Sequence, residues 1–86
     1  MDFADLDYRL KLTKIIDTYD SYGNQIQQEV VDRQATEDLA MRLARGEIST
    51  NSVELDFLKD IEGGFEEFLE FGRALVASEE AIGVFT

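Results

Sequence analysis

Cysteine and histidine are both absent from these 86 residues. Without cysteine the chain has no disulfide and no thiolate metal site, and it carries no mark of its redox compartment. With histidine missing as well, and no glycine-rich phosphate loop, the serines have no base among their candidate neighbours except carboxylates. Basic residues are scarce too, eight against nineteen acids, for a net charge of −11. A field of that sign repels DNA, RNA and anionic membranes and attracts basic surfaces. No apolar run approaches the roughly 20 residues of a membrane span, and Met1-Asp2-Phe3-Ala4-Asp5 lacks the basic and apolar regions of a secretory signal. The expectation is a cytoplasmic protein with no cofactor, no metal, no catalytic residue and no direct contact with nucleic acid or membrane.

Hydrophobic residues, at 44% with six Phe and three Tyr, suffice for a core and argue against disorder. One domain over residues 1 to 86 is expected. Tyr8, Leu10 and Leu12 alternate with Arg9, Lys11 and Thr13, and Ile15, Ile16, Thr18 and Tyr19 continue a β-branched and aromatic run. A helix over residues 3 to 22, in an all-α bundle, is the competing reading. Asp20-Ser21-Tyr22-Gly23 favours a hairpin, because Asp and Gly occupy the first and fourth positions of a type I turn. Pairing Asp20 with Asn24 sets Thr18 opposite Ile26, Ile16 opposite Gln28 and Lys14 opposite Val30. Leu10, Leu12, Ile16, Ile26 and Val30 then share one half-buried face. A short third strand at Ile82 to Phe85 is an optional addition.

Thr36 reads as an N-cap, Leu39, Ala40, Leu43 and Ala44 as an apolar stripe, and Gly46 as the stop of a helix over 36 to 45. Asn51 with Glu54 resembles a capping box. It opens a long segment in which Leu58, Ile61, Phe65, Phe68, Leu69, Leu75 and Val76 fall in one arc at about 100° per residue. Phe57 and Phe71 sit at the edges of that arc. The count runs through Gly63 and Gly64, so either one helix bends there or two meet in nearly continued phase. Ser78-Glu79-Glu80 reads as the cap of a last short turn before Gly83. The fold class is therefore α+β: an N-terminal β-hairpin packed on two or three helices.

Charge is uneven along the chain. Residues 1 to 46 hold nine acids and six bases, whereas 47 to 86 hold ten acids and two bases. Glu54, Asp56, Asp60, Glu62, Glu66, Glu67 and Glu70 share their stretch with Lys59 alone. On a continuous helix Glu62, Glu66 and Glu70 form one row, and Asp56, Asp60 and Glu67 another, opposite the apolar arc. Like charges at i, i+4 cost about 0.2–0.5 kcal/mol per pair. Such rows either keep the protein soluble or dock on a basic partner. Proteins that hold phosphate backbones are the commonest basic partners, and two carboxylate rows imitate the charge of a strand.

In size, charge and element order, through Asp20-Ser21-Tyr22-Gly23-Asn24, the 36 to 45 helix and the acids of 54 to 70, the chain resembles the small phage-encoded inhibitors that mimic DNA, including some anti-CRISPR proteins. That resemblance implies a viral, non-catalytic inhibitor acting in the host cytoplasm on a nucleic-acid-binding protein. It transfers no functional residue. The rival expectation is an assembly subunit of a larger complex with apolar contacts. Several of Tyr8, Tyr19, Tyr22 and Phe85 exposed and adjacent to one another would mark a homodimer or partner surface with carboxylates around it, and a homodimer would also protect the hairpin edge. Asp20, Asn24 and Glu29 around Gly23 echo a calcium loop, but Thr18 and Tyr22 occupy ligand positions, so a plain turn accounts for Gly23 better.

Overall fold

A computed structural model describes residues 2–83 and shows an α+β protein, an antiparallel hairpin joined to a helical body. Strand β1 is Thr13–Tyr19 and β2 is Gln25–Val31. Helix α1 is Arg33–Ala44, α2 is Gly64–Gly83, and 3-10 turns occupy Phe3–Asp5, Tyr8–Leu10 and Val53–Leu58. The hairpin register is the one its turn dictates, with Thr18 opposite Ile26, Ile16 opposite Gln28 and Lys14 opposite Val30. Asp20 Oδ1 accepts the amides of Tyr22 and Asn24, both at 2.9 Å, and Gly23 takes φ +82°, a conformation that costs a residue with a Cβ about 1–2 kcal/mol.

The strands start later than the alternation implies. Leu10 belongs to a 3-10 turn and is buried in the core, while most of β1 and β2 is solvent-exposed. The half-buried face expected for Ile16, Ile26 and Val30 is accordingly only partly covered: Val30 is half-buried, Ile16 and Ile26 exposed. Of the proposed third strand, Ile82 lies in α2, and Val84 and Phe85 lie outside the described residues.

Helix α1 begins three residues before the expected cap. Asp32 is the N-cap, its side chain accepting the Ala35 amide at 3.1 Å. Thr36 is instead fully buried inside the first turn, where its hydroxyl donates to the Asp32 carbonyl at 2.7 Å and accepts the Leu12 amide at 2.9 Å. Because the Asp32 amide donates to the Leu12 carbonyl at 2.8 Å, the threonine hydroxyl stands in for the missing half of the hairpin's last rung. It thereby fastens the base of the hairpin to α1. Thr36→Val keeps the shape but leaves the Leu12 amide and one Asp32 lone pair unpaired. Expected is a loss of about 1–3 kcal/mol in urea unfolding, and a loss under about 0.5 kcal/mol would show that the relay is dispensable. The other end of α1 closes as expected: Gly46, at φ +75°, donates to the Leu43 carbonyl and the Glu47 amide to that of Arg42, a Schellman pair.

The long C-terminal segment is not one rod. Ser52, not Asn51, caps the 3-10 turn Val53–Leu58 by accepting the Glu54 amide. Three-residue turns then carry the chain to Gly63, whose φ of +71° breaks the helical path. Gly64 follows under Ile61 and Leu10: a Cβ there would lie 2.9 Å from Ile61 Cβ and 3.1 Å from Leu10 Cδ2. The two glycines thus reset the phase rather than bending a continuous helix. Ser78-Glu79-Glu80 lies within α2 and starts no new turn.

The core joins Leu6, Leu10, Leu39, Ala40, Leu43, Leu55, Leu58, Phe68 and Phe71. Phe71, at the edge of the expected arc, is fully buried, and Phe57 stacks edge-on against Phe68 with centroids 5.8 Å apart. Phe3 covers Phe71 and carries Lys11 and Arg33 over its ring at 4.6 and 4.9 Å. Helices α1 and α2 meet where Gly72 lies against Ala40 and Ala44.

Candidate functional site

The seven acids expected to form one face fall on three kinds of backbone. Glu54 and Asp56 sit on the 3-10 turn, Asp60 and Glu62 on the turns after it, and Glu66, Glu67 and Glu70 on the first two turns of α2. Of the row Glu62, Glu66 and Glu70, only the last two share a helical face, because Glu62 precedes the left-handed Gly63. Asp56 and Asp60 likewise do not share a helix with Glu67.

Three of the seven have partners. Glu54 pairs with Arg42 of α1 at 3.2 Å and Asp56 with Lys59 at 2.8 Å, both largely exposed and each worth about 0–1 kcal/mol. Glu67 turns the other way. Its Oε2 accepts the Asp7 amide at 3.1 Å, tying the N-terminal turns to α2. Asp7 in turn binds the Arg9 guanidinium at 2.9 Å, and that hydrogen bond, with the Arg9 amide, holds the Asp7 carboxyl down to about 2. At the tip of the hairpin the Asn24 amide, followed by that of Tyr22, keeps the Asp20 carboxyl below the ordinary range.

Asp60, Glu62, Glu66 and Glu70 remain. All four are exposed, and among the described residues none has a Lys or Arg within 4.0 Å. Glu66 and Glu67 have a structural use besides, since carboxylates in the first turn of α2 offset the partial positive charge there by about 0.3–1 kcal/mol each. Other acids serve the fold: Glu79 on α2 pairs with Arg45, the C-cap of α1, at 2.6 Å.

Sequence reasoning missed the tether made by Glu67, although a signal for it exists. On α2, Glu67 lies one turn from Phe71, which is buried, and from Gly64, which packs under Leu10, so the wheel sets it on the border of the packed face rather than opposite it. The tyrosines are legible only in the structure. Tyr8, Tyr19 and Tyr22 are 68%, 69% and 89% exposed, and Tyr19 and Tyr22 lie at the hairpin tip; Phe85 lies outside the described residues.

The class defined here is an α+β protein whose largely exposed β-hairpin is fastened at its base to a helical body, on which several carboxylates have no ion-pair partner among the described residues. No helix among the described residues is long and apolar enough to cross a membrane. Comparison with protein-family models, with curated proteins and with solved structures finds no match to this chain.

Proposed function

We propose that this protein is a non-catalytic acidic binding module, an inhibitor or adaptor that docks its carboxylates on the basic, nucleic-acid-binding surface of a partner protein in the cytoplasm. The observation that carries the reading is the set Asp60, Glu62, Glu66 and Glu70, solvent-accessible and without a cationic partner among the described residues, in a chain of net charge −11. Glu54, Asp56 and Glu67 drop to supporting positions, because each already has a partner within the fold. A surface that releases no internal ion pair on binding meets a basic groove at the least cost. Its association is fast and weakens steeply as salt rises. The likeness in character to phage-encoded DNA mimics fits this reading, with the host cytoplasm as the place of action.

The test uses nuclease-treated lysate and a variant carrying Glu62→Gln, Glu66→Gln and Glu70→Gln. A protein captured by the wild type at low salt is released at high salt, loses its own duplex DNA to the wild type, and binds the variant at least about tenfold more weakly. An unchanged set of captured proteins counts against the docking surface. A second reading, an assembly subunit with apolar contacts, draws on the uncovered Ile15, Tyr19 and Ile26 of the hairpin. Salt-insensitive association selects that reading instead.

A further inference from the structure

The hairpin's two edges are not equivalent. The bonds Asp20 to Asn24 and Asp32 to Leu12 fix the alternation of the ladder, so even-numbered residues of β2 turn their backbone groups toward β1. Gln25, Gln27, Glu29 and Val31 therefore present N–H and C=O groups outward, and among the described residues these have no backbone partner. The outer edge of β1 is guarded by Lys14 and Asp17, which project to opposite faces. The outer edge of β2 carries one charge, Glu29, and neither lysine nor proline. Charges on an edge strand are a common defence against pairing, and β2 has almost none. The arm is also too small to stand alone: an isolated two-stranded ribbon is marginal in water, and most of this one is uncovered.

We infer that β2 is a pairing edge and that its occupant is β2 of a second copy, antiparallel, giving a four-stranded sheet with its twofold axis at Gln28. In that register Gln27 faces Glu29 of the copy, Gln25 faces Val31, and Ile26 faces Val30. The outward backbone groups of all four odd residues find partners, and no carboxylate meets its own image. Shifting the axis to Glu29 sets two carboxylates opposite each other, and shifting it to Gln27 shortens the ladder. The charge of the whole chain favours the same arrangement. The hairpin strands and turn hold one lysine and three acids, so most of the −11 lies on the helical body. Antiparallel pairing puts the two bodies at opposite ends of a sheet about 20 Å long, well beyond the Debye length of about 8 Å at physiological salt.

The experiment is sedimentation equilibrium of the full chain between about 1 μM and about 1 mM, with the hairpin checked by the Thr18 to Ile26 cross-strand NMR contacts. The wild type is expected to approach twice the monomer mass over that range. Gln27→Glu places a new carboxylate opposite Glu29 at both symmetric rungs and also opposite Asp17 within its own hairpin, so the cross-strand contacts are followed beside the mass; with those contacts intact the dimer is expected to weaken roughly threefold to thirtyfold. Adding Glu29→Lys to that variant turns both rungs into opposite-charge pairs and is expected to restore it. A chain that stays monomeric throughout overturns the inference. So does a dimer that ignores Gln27→Glu, or one that Glu29→Lys fails to rescue while the hairpin contacts persist. Because none of these changes touches Asp60, Glu62, Glu66 or Glu70, the outcome is independent of the acidic docking surface.

Discussion

Gly72→Ala is expected to destabilise the protein by about 1–3 kcal/mol, against the ordinary gain for that exchange inside a helix. Two effects oppose each other. Alanine is worth up to about 1 kcal/mol over glycine at an interior helical position, which alone would raise stability. At this crossing, however, an added methyl would lie 2.7 Å from the carbonyl carbon of Ala40, nearer still to its oxygen, and 3.2 Å from Ala44 Cβ. The first two obstacles are α1 backbone inside a regular helix and cannot turn aside as a flexible side chain does. The helices must separate, and every contact along α1 and α2 loosens with them, so the steric term wins. Thermal unfolding monitored by circular dichroism should show a midpoint lower by roughly 5–15 °C for a domain of this size. A midpoint that rises would mean the helices do not approach so closely at Gly72.

Phe68→Ala is expected to cost more, about 3–5 kcal/mol. Its ring is fully buried, meets Phe57 edge-on, and lies one turn before Gly72 on the same face of α2. Truncation removes the transfer free energy of the ring and leaves a hole between α1, α2 and the Val53–Leu58 turn that the glycine-lined crossing cannot collapse to fill. For a chain of 86 residues the total stability is of order 4–13 kcal/mol, so this variant should populate the unfolded state visibly at low urea. A shift of the urea midpoint equivalent to less than about 1 kcal/mol would show that Phe68 lies outside the cooperative core.

What could be read in advance was what is decided locally. Asp20 and Gly23 fix a turn, the turn fixes the register, and period-two patterning does the rest, so every expected cross-strand pair occurs. Gly46 ends α1 for an equally local reason. What could not be read depends on residues far apart in the chain. Thr36 looks like a cap on its own, but it is recruited inward by the Leu12 amide, 24 residues earlier. The apolar arc of 58 to 76 keeps its phase on paper, yet Gly63 turns left-handed and Gly64 packs under Leu10, far away in the chain. The carboxylates suffered most from this. Their rows existed only on the assumption of a continuous helix, and ion pairs with Arg42 and Lys59 cannot be separated from a free surface by spacing alone.

The threonine relay at the base of the hairpin carries a dynamic consequence. Since the ribbon packs mainly on itself and is fastened to α1 through Leu12, Asp32 and Thr36, it can open without dissolving the packed helices. Amide protons along the strands should therefore exchange through a subglobal event of lower free energy, while those of Leu39 to Leu43 wait for global unfolding. The molecule holds two thresholds of order in one short chain, and the lower one belongs to the arm.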